Sequence, residues 1–219
     1  MRSGAELAVV EMAAGVVLAG AVLALWRKDL RALISLLGLQ GAALATLAAA
    51  LCVHDRDIGL GVVAGVVLLA KGLAIPGLLA RVVRADPGSR ETAPLVNVPA
   101  SLVAAAVLVV LSYLVADPLT AVFPDPLTRL APLGLATVLV GLFVLVTRRK
   151  AVSQIVGLLL VDNGVALVAF LLTAGVPLLV ELGASLDVLL VVVVLQVLAT
   201  TMRARFGHVD LDQLRELHD

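Results

Sequence analysis

One cysteine, Cys52, is the chain's whole supply of thiol. That excludes an internal disulfide, a zinc knuckle and a thiolate-held iron–sulfur cluster. Histidine is nearly as scarce. His54, His208 and His218 fall near span ends or in the C-terminal tail, so the intramembrane histidine pair of a bis-histidine haem is not provided. Charge is sparse too, at 15% of 219 residues, and the formal net charge is zero, which offers nothing to a nucleic acid. The chain is expected to hold no cofactor, no metal and no catalytic centre of its own.

What it does have is apolar surface. Hydrophobic residues make up 62% of the sequence, and the mean hydropathy is +1.14. Ordinary soluble domains carry about half apolar and about a quarter charged residues. A chain this apolar cannot hide from water, and it reads as an all-α, multi-pass membrane bundle. The first apolar run continues to Trp26 and is interrupted early by Glu6 and Glu11, which predicts a retained span rather than a cleaved signal.

A span needs about 20 apolar residues to cross roughly 30 Å of hydrocarbon. Cutting at charges and prolines predicts seven, over 6–26, 30–52, 58–80, 95–116, 129–147, 151–174 and 178–202. The loops test that count. Arg27, Lys28 and Arg31 follow the first span, whereas HDRD at 54–57 follows the second. Arg81, Arg84 and Arg90 follow the third, and the next loop, 117–129, holds one arginine. Arg148, Arg149 and Lys150 join spans five and six, TAGVP joins six and seven without charge, and the tail brings Arg203, Arg205 and Arg215. Cation-rich and cation-poor loops alternate, so the N-terminus is expected outside and the C-terminus in the cytoplasm.

Spans one to three and five to seven resemble each other. WRKDLRALISLLGLQGAAL (26–44) and TRRKAVSQIVGLLLVDNGVAL (147–167) share a basic turn, an apolar run, an amide and a glycine. Gln40-Gly41 aligns with Asn163-Gly164, and both units start outside, which makes the repeat parallel. The expected organisation is a first three-span unit over 1–84, a linker and fourth span over 85–128, a second three-span unit over 129–206 and a tail over 207–219.

Three ionisable groups fall deep within these spans, Lys71, Asp162 and Asp187, with Glu181 shallower near the outer end of the last. An Asp or Lys at a helix centre costs about 2.5 to 3.5 kcal/mol on insertion scales. Such groups persist where they pair, face the bundle interior or line a water path. Lys71 lies about 15 Å along the axis from Arg81, beyond the reach of a lysine stem to the interface. Pro76 lacks an N–H and crowds the preceding turn, which predicts a kink beside the amine. Since spans six and seven run oppositely, Asp162 and Asp187 lie at similar depths, and Lys71 matches them. Two roles fit this layer: a coupled proton relay of Lys71, Asp162, Asp187 and Glu181 supported by Asn163 and Gln40, or a static pair that sets helix register. Gly157 and Gly164, on one face, predict close helix packing.

The order of D-N-G in span six, PLLVELGASLD (177–187) and VDLDQLREL (209–217), with LLAKGLAIP (68–76) in the third span, resembles the hydrogenase-4 membrane component E family. The likeness runs over nearly the whole chain and is most specific in its second half. Asp162 stands where the family more usually has Glu, keeping the carboxylate on a shorter arm. The resemblance implies a non-catalytic subunit in the membrane arm of a group 4 nickel–iron hydrogenase or formate hydrogenlyase-like complex in the bacterial inner (plasma) membrane. It also implies similarity to subunit K of complex I and to a small subunit of multisubunit Na⁺/H⁺ antiporters. Its partners would be antiporter-like and quinone-subunit-like membrane proteins, with nickel–iron and iron–sulfur centres in further chains. A scaffold subunit without conduction of its own is the alternative under the same resemblance. A free-standing transporter finds no broken-helix pair or substrate-sized polar cluster to support it.

Overall fold

In a bilayer core no water is present to satisfy peptide N–H and C=O groups, so an apolar chain must close its hydrogen bonds within helices. The computed structural model describes residues 4–55, 58–84, 96–122, 125–148 and 151–173, and no strand occurs among them. In chain order they form α1 (Gly4–Trp26), α2 (Leu30–Asp55), α3 (Ile58–Val67), a π-helical segment (Leu68–Ala74), α4 (Ile75–Arg84), α5 (Val98–Val122), a single 3₁₀ turn (Thr128–Leu130), α6 (Ala131–Thr147) and α7 (Ala151–Thr173). Since α3, the π segment and α4 run on without a break, six stretches are long and apolar enough to cross a membrane. The expected seventh span, 178–202, and the tail lie outside the described residues.

Polar residues mark where the helices begin. Asp29 Oδ1 accepts the Arg31 N–H at 3.2 Å, while its carbonyl accepts the Leu33 N–H and opens α2. Asn97 does the same for α5, its Oδ1 taking the Ala100 N–H at 3.1 Å. Asp125 is exposed and accepts the Leu127 N–H at 2.8 Å, and so shapes the turn into α6. Helix α5 runs on to Val122 with Pro118 inside it, past the expected end of the fourth span at 116.

Short turns make α1 with α2, α2 with α3, and α6 with α7 antiparallel neighbours. Charges consequently segregate by end. Among the described residues Arg27, Lys28, Arg31, Arg81, Arg84 and Arg148 share one end with Asp29, and Glu6, Asp117 and Asp125 share the other with Arg129.

Glycine sets the closeness of α6 and α7. A Cβ on Gly164 would lie 2.6 Å from the Val138 amide nitrogen, one on Gly157 2.6 Å from that of Leu145, and one on Gly141 2.7 Å from that of Val161. Backbones this near exclude any side chain at those sites. The packing role expected of Gly157 and Gly164 is therefore the observed one.

The apolar core divides in two. One cluster toward the acidic end gathers Val10, Val17, Leu44, Leu47, Leu51, Val63, Val67, Leu167 and Phe170. Another toward the basic end gathers Leu25, Leu33, Leu37, Ile75, Leu79, Val140, Val144 and Leu160. Between them, on α2, the π segment and α7, lies a layer that is not apolar.

Candidate functional site: a polar layer at mid-depth

Asp162 sits about 16 Å along α7 from its start, and Gln40 about 15 Å along α2 from its own. Lys71 lies in the π segment. The Lys71 Nζ and an Asp162 carboxylate oxygen are 2.9 Å apart, with 3% and 17% of the two side chains exposed. The ammonium and the carboxylate oxygen it faces are thus both enclosed, while the rest of the Asp162 side chain reaches the rim of the described bundle. Beside this pair Gln40 is wholly buried. Its Nε2 donates to the Val17 carbonyl of α1 at 2.6 Å, and its Oε1 accepts from Asn163 Nδ2 at 3.0 Å. Four helical elements are thereby tied at one depth by polar groups that lipid could not satisfy.

The local backbone explains how the lysine arrives there. The Ile75 N–H bonds back five residues to the Ala70 carbonyl, the mark of a π turn. Pro76, with no N–H of its own and a ring that crowds the carbonyl four residues back, accounts for the wider turn at this point. The structure has a π segment here where a proline kink was expected. Its consequence is a change of phase. Val67, Lys71, Ile75, Leu79 and Val83 are all buried at four-residue steps. On a regular helix of 3.6 residues per turn such a line would drift by roughly 40° at each step. The wider turn absorbs much of that drift, so Lys71 stays on the inner line.

Gly41 supplies the room. A Cβ there would run into the Lys71 carbonyl carbon and would lie 2.6 Å from the Gly72 nitrogen, so α2 meets the π segment backbone to backbone. Gly20 plays a similar part opposite Gln40, whose Cγ would be 2.9 Å from an added Cβ.

Of the residues singled out from the sequence, Lys71 meets Asp162, and Gln40 meets Asn163. Asp187 and Glu181 lie outside the described residues. Glu11 is exposed on the flank of α1. Arg148 was read only as a loop cation, yet it is 4% exposed. Its Nη2 donates to the carbonyls of Ala24 at 2.9 Å, Leu25 at 3.5 Å and Arg27 at 3.1 Å. It closes the C-terminus of α1, where helix carbonyls lack partners. The basic triplet at 148–150 was visible in the sequence, but nothing local says which of its members turns inward. No group of three or more His, Cys, Asp or Glu residues that could hold a metal occurs among the described residues.

No protein-family model matches the chain, and no solved structure matches it either. Among curated proteins, hydrogenase-4 component E of Escherichia coli is 29% identical over 149 residues, covering 68% of this chain and 69% of the relative. The Shigella flexneri protein of the same name aligns with the same figures. These are distant likenesses. Much nearer is the uncharacterized protein Rv0085 of Mycobacterium tuberculosis, 47% identical over 211 residues and 96% of either chain. At that identity and coverage, the chain belongs to the same family as Rv0085.

Proposed function

We propose that the chain is a non-catalytic integral subunit of a hydrogenase-type membrane complex, and that its buried charges take part in proton translocation. The six apolar spans and the distant likeness to hydrogenase-4 component E support the first half of that reading. One observation carries the second: the Lys71–Asp162 pair at mid-depth, joining the third span to α7 at 2.9 Å.

The chemistry follows from unequal enclosure. A proton that reaches the layer meets Asp162 first, because its side chain is 17% exposed and that of Lys71 3%. Protonating the carboxyl removes the attraction that holds the ammonium, and a π segment is a local irregularity of the kind often found at functional sites. Movement of Lys71 away and back would couple uptake to release. Asp187 and Glu181 would continue the path toward the outer end, in the seventh span of a bundle with its N-terminus outside and its C-terminus in the cytoplasm of a bacterium. The Gln40–Asn163 bond supports the parallel repeat over 1–84 and 129–206, because the two residues aligned as equivalents meet at the interface of the two units. Antiporter-like and quinone-subunit-like proteins are the proposed neighbours, with metal centres in other chains.

The test is Asp162→Asn, and in parallel Asp187→Asn, in the assembled complex. An amide keeps the shape but takes up no proton. Each complex is expected to assemble, with electron transfer retained and proton translocation into vesicles reduced by at least about tenfold. Unchanged translocation in both variants would refute conduction. A second reading, a scaffold without conduction, draws support from the Gln40 and Asn163 bonds, which join α1, α2 and α7 without any titrating group. Under that reading the same amides lower the yield of assembled complex on a native gel and leave coupling per complex intact.

A further inference from the structure

A second cluster of charge lies at the basic end, away from the pair. Between the first turns of α2 and the last turns of α4 is a cleft of about 270 Å³, lined by Arg31, Ile34, Ser35, Ala80 and Arg84. We infer that this cleft binds the phosphate headgroup of an anionic phospholipid, clamped between the Arg31 and Arg84 guanidiniums. The inference is independent of the proton-relay reading.

The donors decide the ligand class. Guanidinium presents a planar fork of N–H groups that matches phosphate oxygens, and no carboxylate among the described residues forms an ion pair with Arg31 or Arg84. Asp29, the acid at this end among the described residues, has its Oδ1 on the Arg31 backbone N–H. Ser35 is not a third donor, since its hydroxyl donates to the Arg31 carbonyl at 3.0 Å. The two arginines therefore do the holding. Size agrees: ligand cavities run from about 300 to 1,000 Å³, so this cleft suits a headgroup rather than a large organic ligand.

Position favours a lipid over a free anion. Arg31, Ser35 and Leu39 follow one another at four-residue steps on the outer face of α2, and all are exposed. On the adjoining element Leu73 is 60% exposed, and Gly77 has open space where a Cβ would stand. The basic cleft thus continues toward mid-depth as apolar surface, which would carry acyl chains but offers nothing to inorganic phosphate. Basic pockets between helices at the membrane boundary are the general form of such sites.

The experiment uses the full chain, purified and delipidated in neutral detergent, with binding read by native mass spectrometry. Phosphatidylglycerol, phosphatidylcholine and inorganic phosphate are the three probes. The unaltered chain is expected to retain phosphatidylglycerol about tenfold more tightly than phosphatidylcholine, with inorganic phosphate at millimolar concentration displacing neither. Arg31→Ala with Arg84→Ala should weaken phosphatidylglycerol binding by roughly thirtyfold. Arg81→Ala, which removes an exposed charge outside the cleft lining, and Ser35→Ala should each stay within about twofold of the unaltered chain. Arg31→Lys with Arg84→Lys keeps charge and fold but loses the fork, and should fall between. Equal binding by the Lys pair, the Ala pair and the unaltered chain would overturn the site. An Arg81→Ala loss as large as that of the Ala pair would overturn it in favour of general surface charge, and saturable displacement by inorganic phosphate would overturn the lipid assignment.

Discussion

Arg148 shows how much one side chain can decide. It is buried where a membrane-boundary arginine would ordinarily extend to water, and it accepts that burial because three carbonyls at the end of α1 need a donor. Hydrogen bonds from charged donors are worth about 1.5 to 3 kcal/mol, and leaving their acceptors unmet costs about as much again. Arg148→Ala is therefore expected to destabilise the bundle by about 2 to 4 kcal/mol, seen as a lower melting temperature in detergent. Arg148→Lys should recover less than half of this, because an ammonium is a compact, strongly hydrated charge that is costlier to bury than the weakly hydrated guanidinium. If Arg148→Ala melts with the unaltered chain, the cap contributes nothing. Lys71 and Asp162 stood out in the sequence by the cost of charge in lipid, and so did their common depth. That Asp162 is the residue 2.9 Å from Lys71 was not legible, since depth says nothing about the angle at which two helices face one another.

Among elements, the α6–α7 hairpin and the third span illustrate two uses of glycine. In the hairpin, glycines seven apart on each helix, Gly134 with Gly141 and Gly157 with Gly164, bring backbones to within van der Waals contact. Without a hydrophobic force between helices in lipid, such packing supplies much of the association. Gly164→Val should cost about 1 to 3 kcal/mol or more through overpacking. Gly15→Ala on α1, which has nothing within 4 Å of the added carbon, should be neutral or gain about 0.5 to 1 kcal/mol. Comparable losses at both sites in a thermal melt would contradict this account. At the third span it is Gly41 of α2 that faces the π segment, and there the close approach positions a charge. Glycine and proline were both legible as signals. The kink expected at Pro76 became a widened turn because the inner line of residues had to stay in phase over more turns than 3.6 residues each allow.

For the whole molecule, alternation of charged ends fixes how the hairpins stand. A cysteine probe tests it directly, because Cys52 is the chain's one native thiol and Cys52→Ala clears the background. In that background Lys28→Cys and Asp125→Cys, both at exposed positions, should react with a membrane-impermeant maleimide from opposite sides of the membrane. Labelling of both from one side would break the arrangement. Under the proposed orientation, with the N-terminus outside, Lys28 is the position labelled from the cytoplasmic side. Among the six described spans α5 is the least enclosed, with 17% of its most apolar window buried. Leu102, Val103, Val107, Val110, Leu114 and Val115 face outward from the described bundle.

Composition together with the length of the apolar runs pointed to membrane helices, because continuous runs of about 20 apolar residues do not fit the alternating strands of a closed barrel, the other spanning form a bilayer admits. Local pattern settled the first six spans to within a few residues, α5 running past Pro118 to Val122 being the largest departure, since charge is costly enough in hydrocarbon to mark most boundaries. Contacts between distant residues belong to the tertiary structure. The meeting of Gln40 with Asn163, of Lys71 with Asp162, and of Arg148 with the end of α1 depends on the rotation of each helix about its axis. In a chain apolar on nearly every face that rotation leaves no periodic trace in the sequence. It is set instead by where glycines let backbones touch and where a few polar groups find one another.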